Sequence, residues 1–293
     1  MVMKVRNRPI VPRTSRRATE KGPMYEVYWG LRTPPFRQGG VENYVSSPVH
    51  DEALARLHYL VEANHRLGLL LGAPASGKSL VLDVAAQQWR GVGATVANVN
   101  LVARDARETL WSLASGWGLD LDVRMGQFDI WRAISDRLAE GRWQQVPVIA
   151  LLDDADRASS DVLDLVLRLA HCEPTAASRL TVVLAAQTDR FSELGRRLLG
   201  LVELRIDLAA WDLTDTHNYL THCLAQAGRP QSAFAEDAVM RIHELSEGIV
   251  GRIARLAELS LLAAAGSQLS LVDAHTVEAV YGELGVMETA VAV

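Results

Sequence analysis

Short apolar runs alternate with amphipathic stretches between residues 67 and 208, and this alternation predicts an α/β domain. Four of the runs are almost continuously apolar, which is typical of strands buried on both faces of a parallel sheet. They lie at residues 67–71, 93–99, 146–152 and 180–186. A fifth run, residues 202–208, alternates apolar and polar side chains and predicts a half-exposed edge strand. The sequence therefore predicts a three-layer core with a five-stranded parallel sheet.

The pattern changes after Trp211, where strand-like runs stop. Helical spacing of apolar residues then recurs in four segments, near residues 215–227, 234–245, 249–265 and 272–284. A smaller helical domain is therefore expected after the α/β core. The predicted division is a tail at 1–23, an α/β core at 24–210, a helical domain at 211–285 and a tail at 286–293.

Charge is unevenly distributed along the 293 residues, whose net charge is −5. Residues 1–24 hold seven basic side chains and one acidic one, so the remainder carries −11. Few large apolar side chains occur in this basic tail, which predicts that it is disordered. The acidic remainder argues against broad nucleic-acid binding, whereas the tail leaves open weak binding to phosphates or docking of a partner.

The sequence shows no features of a secreted or membrane protein. Its two cysteines, Cys172 and Cys223, are interpreted as reduced thiols. No apolar run approaches the ~18 residues that a membrane-spanning helix needs. The charged N-terminus has no apolar segment of the kind found in secretory signals. These observations predict a cytoplasmic protein without a membrane segment.

Residues 72–79 match the pattern G-x-x-x-x-G-K-[ST] of loops that bind nucleotide phosphates. An apolar run precedes this phosphate loop and a helical stretch follows it, which is the order such a site requires. Glycines let successive backbone N–H groups point at one anion, Lys78 supplies an ammonium, and Ser79 offers a hydroxyl to Mg²⁺. The predicted nucleotide-binding residues are Gly72, Ala73, Pro74, Ala75, Ser76, Gly77, Lys78, Ser79 and Leu80.

Two aspartates, Asp153 and Asp154, follow the third apolar run. In P-loop ATPases, acidic residues near the phosphates hold Mg²⁺ and position the attacking group. We therefore predict that Asp153 and Ser79 bind Mg²⁺ and that the cofactors are ATP and Mg²⁺. Lys78, the one lysine outside the N-terminal tail, is assigned a catalytic role because its ammonium neutralises phosphate charge.

Several motifs resemble the ExeA-like (general secretion pathway protein A) branch of the AAA+ ATPases. They are the aromatic opening at residues 25–36, the Ser47-Pro48-Val49-His50 start of the next helix, and the phosphate loop. The resemblance implies that residues 211–285 form a lid over the nucleotide and that Val49 and His50 lie near the adenine. It also implies that the protein works as an oligomer.

The same resemblance assigns roles to individual side chains. Asp154 stands where the family has a glutamate that orients the attacking water, so it is the predicted catalytic base. Gln187, at the end of the fourth strand, is the predicted sensor of the γ-phosphate. Arg196 or Arg197 corresponds to the arginine finger that one subunit offers to its neighbour's ATP.

Two departures from the family pattern argue against rapid turnover. Asp154 is one methylene shorter than glutamate, and a displacement of about 1 Å can cost on the order of 10²-fold in rate. Gly251 occupies the lid position where the family has an arginine that touches the γ-phosphate. The adjacent Arg252 is the predicted substitute sensor.

Three functions are compatible with these motifs. The leading prediction is an AAA+ ATPase that hydrolyses ATP to drive conformational change in a homo-oligomeric assembly with an unidentified protein partner. The alternatives are an ATP-dependent DNA-binding helper of the transposition type, which would use the basic tail, and a nucleotide-gated scaffold with little turnover. A GTPase does not fit, because its [N/T]-K-x-D motif needs a lysine beyond Lys78. An ABC ATPase does not fit either, because no Leu-Ser-Gly-Gly-Gln segment occurs.

Overall fold

The computed structural model describes residues 24–37, 40–122, 124–172 and 177–291. The predictions for the tail at 1–23 and for residues 292–293 lie outside these described residues. Within them, one parallel sheet with flanking helices is followed by a helical domain.

The sheet contains five parallel strands in the order β2-β3-β4-β1-β5, which confirms the predicted fold class. The strands are β1 (Leu67–Gly72), β2 (Thr95–Asn100), β3 (Val148–Asp153), β4 (Leu180–Gln187) and β5 (Leu204–Leu208). As predicted, β5 lies at an edge and pairs with β1 alone. The register places Gly72 beside Gln187 and Asn100 beside Asp153, so the carboxyl ends of four strands meet at one edge.

Helices cover both faces of the sheet and bury its apolar side chains. Along β1, Leu69 and Leu71 face one apolar cluster while Leu70 faces the other, because side chains alternate along a strand. Each such fully buried side chain contributes roughly 1.5–3 kcal/mol to folding. The helices of the core are α2 (Pro48–Glu62), α3 (Lys78–Gly91), α4 (Ala106–Gly116), α5 (Gln127–Gln144), α6 (Ser160–His171) and α7 (Gly195–Leu199).

The helical lid forms a second apolar core. Its helices are α8 (Leu213–Gln226), α9 (Glu236–Ser246), α10 (Val250–Gly266) and α11 (Ala274–Val291). The last helix continues past the predicted lid boundary at 285, so residues 286–291 are helical rather than a separate tail. No helix in the described part of the chain is long and apolar enough to cross a membrane.

The segment that precedes α2 contacts both domains: its aromatic residues pack in the lid cluster, whereas Val41 and Tyr44 pack on the core. This leader, residues 24–47, begins with a short helix, α1 (Met24–Trp29). The Trp29 indole donates to the carbonyl of Leu261 at 2.9 Å, and the Phe36 ring lies 6.0 Å from that of Tyr219. The boundary predicted at residue 24 therefore assigns these aromatic residues to the core, whereas their side chains belong to the lid cluster.

Candidate nucleotide-binding site

A cavity of about 390 Å³ lies between the carboxyl edge of the sheet and the lid. Three parts of the chain form its walls: the leader, the phosphate loop with the start of α3, and the lid. The polar and charged side chains among the lining residues are Arg37, Asn43, His50, Ser76, Lys78, Ser79, Asp83, Asp154, Gln187, Trp211 and Tyr219. In open parallel α/β sheets, ligands usually bind in the crevice at the carboxyl ends of the strands.

The backbone of the phosphate loop has the conformation that an anion cradle requires. Gly77 has φ +94° at the N-cap of α3, and Ala75 also lies in the left-handed region at φ +64°. A Cβ atom at Gly72 would lie 2.4 Å from the Ser76 hydroxyl, so the loop closes tightly at this glycine. The Ser76 hydroxyl is buried without a hydrogen-bond partner in the described structure. Together with the helix N-terminus, these features fit a bound phosphate.

The Lys78 ammonium is buried within the phosphate loop. It donates to the carbonyl oxygens of Gly72 at 3.0 Å and Ala73 at 2.9 Å. Burial lowers the pKa of Lys78, and nearby carboxylates, Asp153 foremost, oppose that shift. The ammonium is thus held at the base of the cradle, where a phosphate oxygen can replace a carbonyl as its partner.

Ser79 and Asp153 bring two oxygen ligands together at the end of β3. The Ser79 hydroxyl donates to Asp153 Oδ2 at 2.5 Å, and burial raises the pKa of that carboxyl. Mg²⁺ prefers oxygen ligands and takes only one or two from protein, with the rest from phosphate and water. This pair therefore fits Mg²⁺ delivered with a nucleotide.

Asp154 lines the cavity and is oriented by a neighbouring strand. Its backbone lies in the left-handed region at φ 54°, so the chain leaves the extended conformation of β3 at this residue. The Asn100 amide donates to Asp154 Oδ2 at 2.7 Å, and Asn100 Oδ1 accepts the Val102 N–H at 2.9 Å. Sequence reasoning missed Asn100. The sequence feature that could have identified Asn100 is its position as the polar residue that ends β2, the strand that pairs with β3.

Replacing Asn100 with alanine should slow ATP turnover about tenfold or more and leave ATP affinity almost unchanged, because loss of a supporting partner typically costs 10- to 100-fold. Thr95→Ala is the matched control, since Thr95 lies at the other end of the same strand and does not line the cavity. Steady-state turnover and equilibrium ATP binding of both variants check this prediction. Equal rates for the two variants would contradict the role of Asn100.

Gln187 reaches the cavity from the end of β4, as its predicted sensor role requires. Its backbone N–H donates to Asp156 Oδ1 at 3.1 Å, and Asp156 Oδ2 lies 3.8 Å from Arg190 Nε. Asp156 is buried, and sequence analysis did not identify it. Asp156 therefore connects the turn that follows Asp153 and Asp154 to the backbone of the predicted sensor.

His50 closes the other end of the cavity. Its Nε2 donates to the Ser76 carbonyl at 3.0 Å, and its ring lies 5.4 Å from the Trp211 ring. Burial lowers the pKa of His50, which favours the neutral ring. His50 lines the cavity, as the predicted place near the adenine requires, whereas Val49 is not among the lining residues.

Gly251 explains why the lid offers no sensing arginine. Its N–H donates to the Ala75 carbonyl at 3.0 Å, and a Cβ atom would lie 2.8 Å from both the Cβ and the oxygen of Ala75. The predicted substitute, Arg252, does not line the cavity and pairs with Glu247 at 2.6 Å. The sensor role predicted for Arg252 therefore does not agree with this arrangement.

The predicted arginine finger lies away from the subunit's own cavity. Arg196 and Arg197 are exposed on α7. Their guanidinium groups have no hydrogen-bond or ion-pair partner in the described part of the chain. Neither side chain lines the cavity. This placement suits a residue that acts on a neighbouring subunit, and the finger itself stays a prediction.

The sheet, the phosphate loop and the helical lid define the AAA+ fold of the P-loop ATPases. The chain is 29% identical over 248 residues to general secretion pathway protein A of Aeromonas hydrophila, which confirms the predicted resemblance. The match covers 82% of this chain and 45% of that relative, so the chain spans about half of its length. No protein-family model matches the sequence.

Solved structures share this fold at low sequence identity. The Orc1 protein of Aeropyrum pernix, in complex with DNA, superimposes with a TM-score of 0.64 and 17% identity, over 85% of this chain and 68% of that one. The Cdc6p protein of Pyrobaculum aerophilum gives a TM-score of 0.61 and 18% identity, over 81% and 67% of the two chains. The RuvB Holliday junction branch migration motor of Thermotoga maritima gives 0.57 and 12%, over 85% and 73%.

Proposed function

We propose that the protein binds ATP with Mg²⁺ in this cavity and hydrolyses it. The observation that carries the proposal is that Lys78 and Ser79 line the cavity and that Ser79 donates to Asp153, which brings an ammonium and two oxygen ligands to one phosphate cradle. Lys78 would neutralise charge on the terminal phosphates, and Ser79 and Asp153 would hold Mg²⁺. When bound, the metal would supply further positive charge at the phosphate oxygens.

Hydrolysis requires a water aligned with the terminal phosphorus and a group that accepts its proton. Asp154 is the candidate for that group because it lines the cavity and Asn100 fixes its carboxylate. Water oxygen would bond to the γ-phosphorus as the bond to the β–γ bridging oxygen breaks, and Asp154 would receive the proton. The products are ADP and inorganic phosphate.

Slow turnover follows from two features of the site. The carboxylate of Asp154 reaches one methylene less far than that of a glutamate. The lid contributes glycine, not a cation, at position 251, because Ala75 occupies the space. Both features reduce the stabilisation that develops only in the transition state.

We further propose that hydrolysis drives conformational change in a cytoplasmic homo-oligomer, with Arg196 or Arg197 completing the neighbour's site. Turnover per subunit should then rise with protein concentration. Arg196→Ala/Arg197→Ala should lose that rise while still binding ATP, and Lys78→Ala should bind ATP at least about 100-fold more weakly than wild type. Mixing these two inactive variants should restore activity, because one offers intact arginines and the other an intact nucleotide site.

A rate per subunit that is constant over a hundredfold range of protein concentration would contradict the oligomeric part of this proposal. Equal activity of wild type and the double arginine variant would exclude the arginine finger. ATP hydrolysis itself is tested separately, by phosphate release from the wild type with Lys78→Ala as the blank.

A further inference from the structure

The cavity wall contains a cation that no family motif predicts. Among the described residues that line the cavity, two are cationic, Lys78 and Arg37, and two are carboxylates, Asp83 and Asp154. Lys78 already donates to two loop carbonyls. The Arg37 guanidinium, by contrast, has no hydrogen-bond or ion-pair partner among the residues that the structure describes. An unpaired guanidinium at the rim of an anion cradle has free donors for a phosphate.

Arg37 is held beside the cavity by the residue that precedes it. Phe36 is 3% exposed and packs in the lid cluster, with its ring 6.0 Å from Tyr219 and 6.1 Å from Phe234. Tyr219 itself lines the cavity. The buried Phe36 therefore fixes the backbone from which the flexible Arg37 side chain extends.

None of the described lid residues that line the cavity is cationic. Position 251 has no space for a side chain against Ala75, and Arg252 pairs with Glu247 outside the cavity. A triphosphate beside Asp153 and Asp154 needs positive charge beyond one ammonium and the metal, since clamps of Arg, Lys and Mg²⁺ stabilise transferring phosphoryl groups.

We propose that Arg37 is a nucleotide-binding residue that contacts the phosphates in cis, from the leader, in place of a lid arginine. The inference rests on the proposed ATP site and adds a residue to it. Because Phe36 packs in the lid cluster directly before Arg37, phosphate contact through Arg37 would also tie the lid to the bound nucleotide.

The test is equilibrium binding of a fluorescent ATP analogue, with Mg²⁺, to wild type and three variants. Arg37→Ala should raise Kd about tenfold, in keeping with the loss of a charge-assisted hydrogen bond. Arg37→Lys should recover part of that loss, because it retains the charge without the fork of donors. Arg32→Ala is the matched control, since Arg32 is exposed on the same leader and does not line the cavity.

The salt dependence of Kd provides a second readout that a packing role would not change. Loss of a phosphate contact should make the Kd of Arg37→Ala less sensitive to salt than that of wild type. A Kd for Arg37→Ala within twofold of wild type, or an unchanged salt dependence, would overturn the inference while leaving the ATP site intact. Failure of the wild type itself to bind the analogue would instead overturn the proposed function.

Discussion

Replacing Lys78 with alanine is expected to weaken ATP binding at least about 100-fold, the largest effect of any single change in the site. A buried, charge-assisted contact to phosphate is lost, and Lys78 is the one lysine among the described residues that line the cavity. Lys78→Arg should not restore binding, because a planar guanidinium does not fit where the compact ammonium lies between the Gly72 and Ala73 carbonyls. Isothermal titration calorimetry of both variants measures the effect.

The control for this prediction is the thermal stability of Lys78→Ala, which shows whether the variant is still folded. Burial disfavours the charged form of Lys78, so its removal should not unfold the protein, and thermal unfolding of the variant without nucleotide should match that of wild type. ATP should then raise the unfolding temperature of wild type alone. Binding by Lys78→Ala within threefold of wild type would refute the phosphate cradle.

Changing Asp154 to glutamate is expected to raise ATP turnover about tenfold or more, whereas Asp154→Ala should nearly abolish it. The added methylene extends the carboxylate toward the position of the attacking water, and misplacement of about 1 Å can cost on the order of 10²-fold. Single-turnover phosphate release measures the chemical step apart from product release. Asp164→Glu, an exposed substitution on α6 outside the cavity, is the matched control.

The affinity for ATP shows whether a change in the turnover rate comes from the chemical step or from nucleotide binding. ATP affinity of Asp154→Glu should stay close to that of wild type, since the carboxylate acts on water rather than on the phosphates. A glutamate variant that turns over no faster than wild type would show that the length of the Asp154 side chain does not limit the rate.

Local sequence patterns predicted the strands and the phosphate loop that form the site. The residues that act through contacts between elements could be identified only in the structure. The predicted run of residues 180–186 lies within β4, because a strand buried on both faces is apolar along most of its length. The phosphate loop is similarly local, since its geometry depends on glycines at fixed positions. Asn100 and Asp156 could not be recognised in this way, because each acts through a hydrogen bond to a different strand.

Position 252 shows where resemblance and geometry diverge. Successive residues on a helix point about 100° apart, so Arg252 cannot occupy the direction of its neighbour. The contact between Gly251 and Ala75 holds the first turn of α10 against the phosphate loop, and Arg252 pairs with Glu247 instead. Only the packed structure reveals that contact, and it also shows that Arg37 faces the cavity that Arg252 does not reach.

The central claim is that the cradle around Lys78 holds ATP with Mg²⁺. The most direct measurement is isothermal titration calorimetry of the wild-type chain with ATP, in Mg²⁺ and in EDTA. We expect one ATP per chain with micromolar or tighter affinity in Mg²⁺, and weaker binding in EDTA because Ser79 and Asp153 then have no metal to share. No detectable heat or binding with Mg²⁺-ATP would contradict the account.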